Sequence, residues 1–176
     1  VHTASSQGTL KNTDVLVQGG IIRAVGKQLT APAGTSSFDA QGRPLTPGLF
    51  AGINGIGLEE VSAEDSTVDS TLNIKTGESG LIENLRPEFD VTIAYNPRST
   101  LLAVARVGGL SYTALGTSGA LLSGQGSVMR LDGGYEPVAN RRIPYVVIGS
   151  SKLEQSGSTR AAQFMLLEQA FNEARL

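Results

Sequence analysis

The chain has 176 residues, enough for one substantial core, with 40% apolar and only 17% charged residues against roughly 25% charged in an average soluble domain. A formal net charge of −2, with no Lys/Arg cluster, gives no electrostatic footprint for nucleic acid or an anionic membrane surface. With no cysteine, disulfide frameworks, thiolate nucleophiles and sulfur-ligated zinc are excluded.

No apolar run approaches the roughly 18 residues of a membrane-spanning helix, and nothing in the first ten residues reads as a signal peptide. The chain is expected to be soluble. The start at Val1 rather than methionine suggests an upstream segment removed, which leaves the compartment open between cytoplasm and export.

Asp14–Gly26, DVLVQGGIIRAVG, holds two short β-rich runs around Gly19-Gly20, a pair suited to the positive φ angles of a tight hairpin turn. Thr30–Ser37 reads as a loop, Ser37–Ala40 as a short strand and Gln41-Gly42 as a turn. Residues 1–45 are thus expected to form a β-rich subdomain. Pro47-Gly48 breaks the chain before Leu49–Ile56, read as a buried strand in which Gly52, Gly55 and Gly57 point to a bulge or a close approach of other atoms. Glu59–Glu83 is polar and lacks periodicity, so a long surface loop is expected.

Asn96-Pro97 carries the signature of a helix start, and Gly108-Gly109 of its stop. The expected helix is Pro97–Val107, with Leu101, Leu102, Val104 and Ala105 as its apolar side. A strand over Leu110–Leu115 follows, completing a helix–stop–strand order that argues for parallel pairing. A further strand is expected at Ser127–Leu131 and an apolar run at Tyr145–Ile148. A final helix is expected from Ser158 to Leu176, burying Ala161, Ala162, Phe164, Met165, Leu167, Ala170 and Phe171. This helix lacks a stop signal, so the natural chain is expected to continue.

Three residues stand out as binding candidates: Asn54, Ser118 and Gln125. Ser118 and Gln125 lie in GTSGALLSGQG, Gly116–Gly126, whose glycines could present backbone N–H groups to an anion. Turn formation is the blander reading of its serines. The run lacks the lysine of a phosphate-binding P-loop, and Gly52–Gly57 does not match the dinucleotide fingerprint. A serine nucleophile would need a base, and the single histidine, His2, sits near the terminus and reads as solvated. Glu59, Glu60, Glu64, Asp65 and Asp69 could supply oxygen to a hard cation, yet they match no cation-loop spacing and read as a solvated acidic loop. Arg141-Arg142 reads as a solvated basic pair.

Taken together, VLVxxGxIxxVG at Val15–Gly26, D-x-x-G-x-x-x-x-P-G-L at Asp39–Leu49 and the N-P, A-R-x-G and G-x-x-x-x-G-Q segments within Ala94–Gly133 resemble the amidohydrolase superfamily, in particular its imidazolonepropionase-related members. The resemblance implies an α/β architecture in which an N-terminal β-sandwich piece (1–45) adjoins the first strand-helix units of an incomplete (β/α)₈ barrel (46–176), since a full barrel takes about 250 residues. It also implies a hydrolase of C–N bonds in cyclic amides or similar small molecules, with a divalent metal such as zinc activating water. The family pattern after P-G-L is D-x-H-x-H, two histidines on one side of a strand. Here Ile53 and Gly55 take those positions, so no metal or other cofactor is expected within this chain. The metal ligands of a longer protein are expected beyond Leu176. A degenerate, non-catalytic relative that acts as a binding or structural protein is the alternative. Expected partners are a small-molecule substrate and either a second copy or the missing C-terminal part, with no nucleic acid and no membrane.

Overall fold

The computed structural model describes residues 1–72, 84–149 and 159–175. The expected loop over Glu59–Glu83 lies outside the described residues from 73 onward, and Ser158 and Leu176, the expected ends of the last helix, also lie outside them. The chain divides into two compact units, Val1–Gly48 and Leu49–Leu176.

The first unit is built on the expected hairpin. Strands β1 (Asp14–Gln18) and β2 (Ile21–Gly26) pair antiparallel through Gly19 and Gly20, both at positive φ (59° and 73°), the pair of angles that a two-residue turn matched to strand twist requires. Ser37–Ala40 is not a strand: it finds no partner to complete a ladder, and a local β-propensity alone does not hold an extended segment. No residue of 1–48 is buried, and Val17, Ile21 and Ile22 are more than half exposed. A two-stranded ribbon has no second layer against which to bury a face.

In the second unit β3 (Leu49–Asn54) and β4 (Leu110–Leu115) run parallel, as the helix–stop–strand order predicts, and β6 (Val128–Arg130) pairs antiparallel with the other edge of β4. Strand β5 (Leu122–Gly126) pairs antiparallel with β7 (Ile143–Val146). The parallel β3–β4 pair is the barrel-like element among the described residues. An edge of its sheet among the described residues, β3 is not the buried strand expected: Leu49, Phe50 and Ile53 are 51%, 48% and 65% exposed.

Helix α1 (Thr100–Val107) starts three residues later than expected. Asn96 Oδ1 accepts from Arg98 N–H (3.0 Å), which makes a turn rather than a helix cap, and Ser99 caps the helix by accepting from Leu101 N–H (3.2 Å). Gly108 and Gly109 stop it, with Gly109 at φ 80°. Only Leu102 and Ala105 of the expected apolar side are buried, while Val104 is 69% exposed. The two buried residues join Leu58, Val91, Tyr95, Leu115, Met129 and Leu131 in the main core.

Helix α2 (Arg160–Glu173) is capped by the Thr159 hydroxyl. It buries Gln163, Leu166 and Leu167, and leaves Phe164, Met165 and Phe171 exposed. This corrects the expected face, and the reason is polar. Gln163 exchanges hydrogen bonds with the backbone of Gly149, its Oε1 accepting from N–H (3.1 Å) and its Nε2 donating to C=O (3.3 Å), so the docked stripe is 163, 166 and 167.

The glycines of 116–126 allow main chains to touch. A Cβ at Gly119 would collide with the Leu72 carbonyl, at Gly124 with the Phe89 carbonyl and at Gly126 with the Leu115 carbonyl. Gly124→Ala should therefore destabilise the protein by about 3 kcal/mol or more, adding overpacking to the cost of a left-handed backbone. Gly34→Ala, also at positive φ but with open space around its Cβ, should cost only about 1–2 kcal/mol. Equal urea midpoints for the two variants would refute the close-approach account.

Candidate functional site

Asn54 ends β3 with both its amide oxygen and its amide nitrogen hydrogen-bonded. Its Nδ2 donates to Ala51 C=O (3.0 Å), and its Oδ1 accepts from Ile56 N–H (3.0 Å) and from Thr113 Oγ1 (2.9 Å). Buried Thr113 also contacts Gly52 C=O (3.0 Å). These bonds close the end of the strand, and the chain then turns with Leu58 N–H donating to Gly55 C=O (2.7 Å).

The other two candidates are tied to different neighbours. Ser118 is exposed, its hydroxyl pairs with that of Thr71 (3.0 Å), and its backbone bonds to Ser70 and Leu72. Gln125 lies in β5, opposite Pro144 on one side and bridged to Asp90 on the other, with its N–H donating to Phe89 C=O (2.8 Å). No hydrogen bond joins Asn54, Ser118 and Gln125 to one another. Close approach of the Leu72, Phe89 and Leu115 carbonyls accounts for Gly119, Gly124 and Gly126.

Ile53 and Gly55, where the resemblance implies histidines, carry no side-chain atoms that could ligate a divalent metal. Among the described residues no group of three His, Cys, Asp or Glu side chains gathers elsewhere. Within the acidic segment, Glu60 accepts from Asn96 Nδ2 (3.1 Å) and Thr100 Oγ1 (3.3 Å), and Glu64 from Ser66 Oγ (2.8 Å). His2 pairs with the Thr9 hydroxyl (2.9 Å). Among the described residues no helix is long and apolar enough to cross a membrane.

One charged pair escaped the sequence. Arg142, expected to be solvated, donates through Nε to Asp90 Oδ2 at 2.6 Å. Asp90 also accepts from the Thr92 hydroxyl (2.6 Å) and the Thr92 N–H (3.0 Å). The Asp-x-Thr order at 90–92 is an Asx-turn signal that could have marked Asp90, but nothing local links it to a residue 52 positions on. Burial pushes the Asp90 carboxyl up, and the hydrogen bonds from Thr92 and Arg142, with the Arg142 charge, outweigh it and bring the group below its ordinary value. Tyr145, on β7, has a buried hydroxyl without a hydrogen-bond partner among the described residues, and burial raises its pKa.

No protein-family model matches the chain. Over 92% of its length it superposes on the crystal structure of an amidohydrolase from Thermotoga maritima MSB8 with a TM-score of 0.76 at 21% identity, covering 42% of that chain. The fold of this chain is therefore similar to part of that structure. Local sequence matches are to dihydroorotases: 48% identity over 45 residues with that of Citrifermentans bemidjiense and 50% over 45 residues with that of Geobacter sulfurreducens. Each match takes in 26% of this chain and 11% of the relative. The chain thus spans less than half of the solved amidohydrolase and about a tenth of the dihydroorotases it matches.

Because the Asp90 carboxyl titrates lower folded than unfolded, its stabilisation is present above the unfolded value of about 3.9 and is lost as pH falls through the lower folded value. Asp90→Asn should cost about 1 kcal/mol at pH 7, since Arg142 is partly exposed and screened. Urea titrations of both proteins should converge on acidification. A difference that stays constant down to pH 2 would show that the carboxylate charge is not what stabilises.

Proposed function

We propose that the whole protein is an amidohydrolase-type hydrolase acting on C–N bonds of cyclic amides or similar small molecules, related to imidazolonepropionase. The observation that carries this reading is the superposition of 92% of the chain on a solved amidohydrolase, and the dihydroorotase matches support the same reaction class. Fold alone is a weak warrant for chemistry, so the site decides. Since Ile53 and Gly55 carry no ligand atoms, a metal such as zinc would have to be held by residues outside this strand end. That same substitution favours a second reading, a non-catalytic relative that keeps the fold as a binding or structural protein.

Metal analysis and a cyclic-amide hydrolysis panel on the full-length protein separate the two. The hydrolase reading expects about one zinc or similar ion per chain and activity abolished by a chelator, while the 176 residues alone are inactive. A metal-free, inactive full-length protein overturns it in favour of the binding protein.

We also propose that the chain associates, with a second copy or with a complementary part of the amidohydrolase fold. Its free β3 edge supports this, because it shows Leu49, Phe50 and Ile53 to water and carries none of the charges or prolines that guard an edge strand. Light scattering on the isolated 176 residues should show mass above the monomer. A stable monomer at tens of micromolar would rule this out.

A further inference from the structure

The β3–β4 ladder begins with Leu49 opposite Leu110 and ends with Asn54 opposite Leu115, so both ends share one register. Between them the register departs and returns: Phe50 faces Tyr112 where an even ladder would give it Ser111, and Ile53 faces Ala114 again. The departure moves Phe50 to the face of Tyr112, since neighbours along a strand point to opposite faces. There the two rings stack with centroids 5.2 Å apart and planes 24° from parallel. The return takes place through Gly52, whose φ is 85°. Two groups bond to this irregular stretch from outside the ladder: the Thr113 hydroxyl contacts Gly52 C=O and Asn54 Oδ1, and Asn54 Nδ2 holds Ala51 C=O.

We infer that Thr113 is the positioning residue of this strand end, a register clamp that keeps one residue of β3 out of step and so sets Phe50 against Tyr112. Thr113 is fully buried, so its hydroxyl has no water to turn to, and the acceptors it meets are those of the irregular stretch. With the clamp gone, an even ladder would place Ala51 opposite Tyr112 and turn Phe50 to the other face. Asn54 belongs to the clamp, its Oδ1 meeting the Thr113 hydroxyl and its Nδ2 holding Ala51 C=O. The inference is independent of the proposed activity and fails or stands without it.

The test reads the ring pair directly, by NMR contacts between the Phe50 and Tyr112 rings in the 176-residue chain. The contact should be present in the parent and in Thr113→Ser, which keeps the hydroxyl, and lost in Thr113→Val. Gly52→Ala provides a second route that introduces no clash, because a Cβ there meets nothing within 4 Å. It should also lose the contact, while resonances from β5 and β7 stay in place. A merely structural threonine would lower stability in Thr113→Val and leave the ring contact intact in the folded fraction. Persistence of the contact in folded Thr113→Val or Gly52→Ala overturns the inference, and so does global unfolding of both variants, which would make the effect general rather than local.

Discussion

The second unit depends on how closely main chains approach around residues 116–126. Carbonyls of Leu72, Phe89 and Leu115 occupy the space that side chains at Gly119, Gly124 and Gly126 would fill. This lets backbone segments bridge to the run at Thr71–Ser118, Leu85–Leu122 and Asp90–Gln125, while β7 pairs with it on its other side. Interiors at native packing density tolerate no extra methyl at such contacts, so the run acts as a spine on which neighbouring segments are hung. Leu121, within it, packs with Leu166 and Leu167 of α2, and Leu115, just before it, lies in the main core.

Polar side chains complete what the glycines begin. Buried Ser123 contacts the Thr117 hydroxyl (2.8 Å), Ser127 donates to Arg141 C=O (2.8 Å), and Gln163 fastens α2 to Gly149. Each satisfies a group whose burial would otherwise cost about 1–3 kcal/mol. Ser118 pairs with Thr71 at the surface, while Asn54 serves this end by accepting from the buried Thr113 hydroxyl. The Asp90–Arg142 pair does the same at longer range, tying a segment on one side of β5 to the residue that precedes β7.

Fold and site give different kinds of information here. The amidohydrolase likeness covers 92% of the chain, yet the strand end where the family pattern places two histidines presents Ile53 and Gly55. Backbone likeness and side-chain chemistry are separate properties, and likeness of fold is a weak warrant for the second.

Much of the architecture was legible because it is written locally. Gly19-Gly20 between two β-rich runs specifies the hairpin, Gly108-Gly109 stops α1, and a helix followed at once by a strand specifies the parallel partner of β3. That Ile53 and Gly55 follow Pro47-Gly48-Leu49 is likewise a fact of sequence alone. Tertiary structure decided what depends on distant partners. Periodicity marks α2 as a helix but allows several stripes, and the Gly149 backbone selects the one containing Gln163 over the one containing Phe164 and Phe171. Arg142 looks solvated until the fold brings Asp90 beside it. Composition shows that residues 116–126 are rich in glycine, and the carbonyls packed against Gly119, Gly124 and Gly126 explain why. In each case the sequence states what a residue can do, and the contact that makes it do so comes from a segment tens of positions away, which local propensity does not encode.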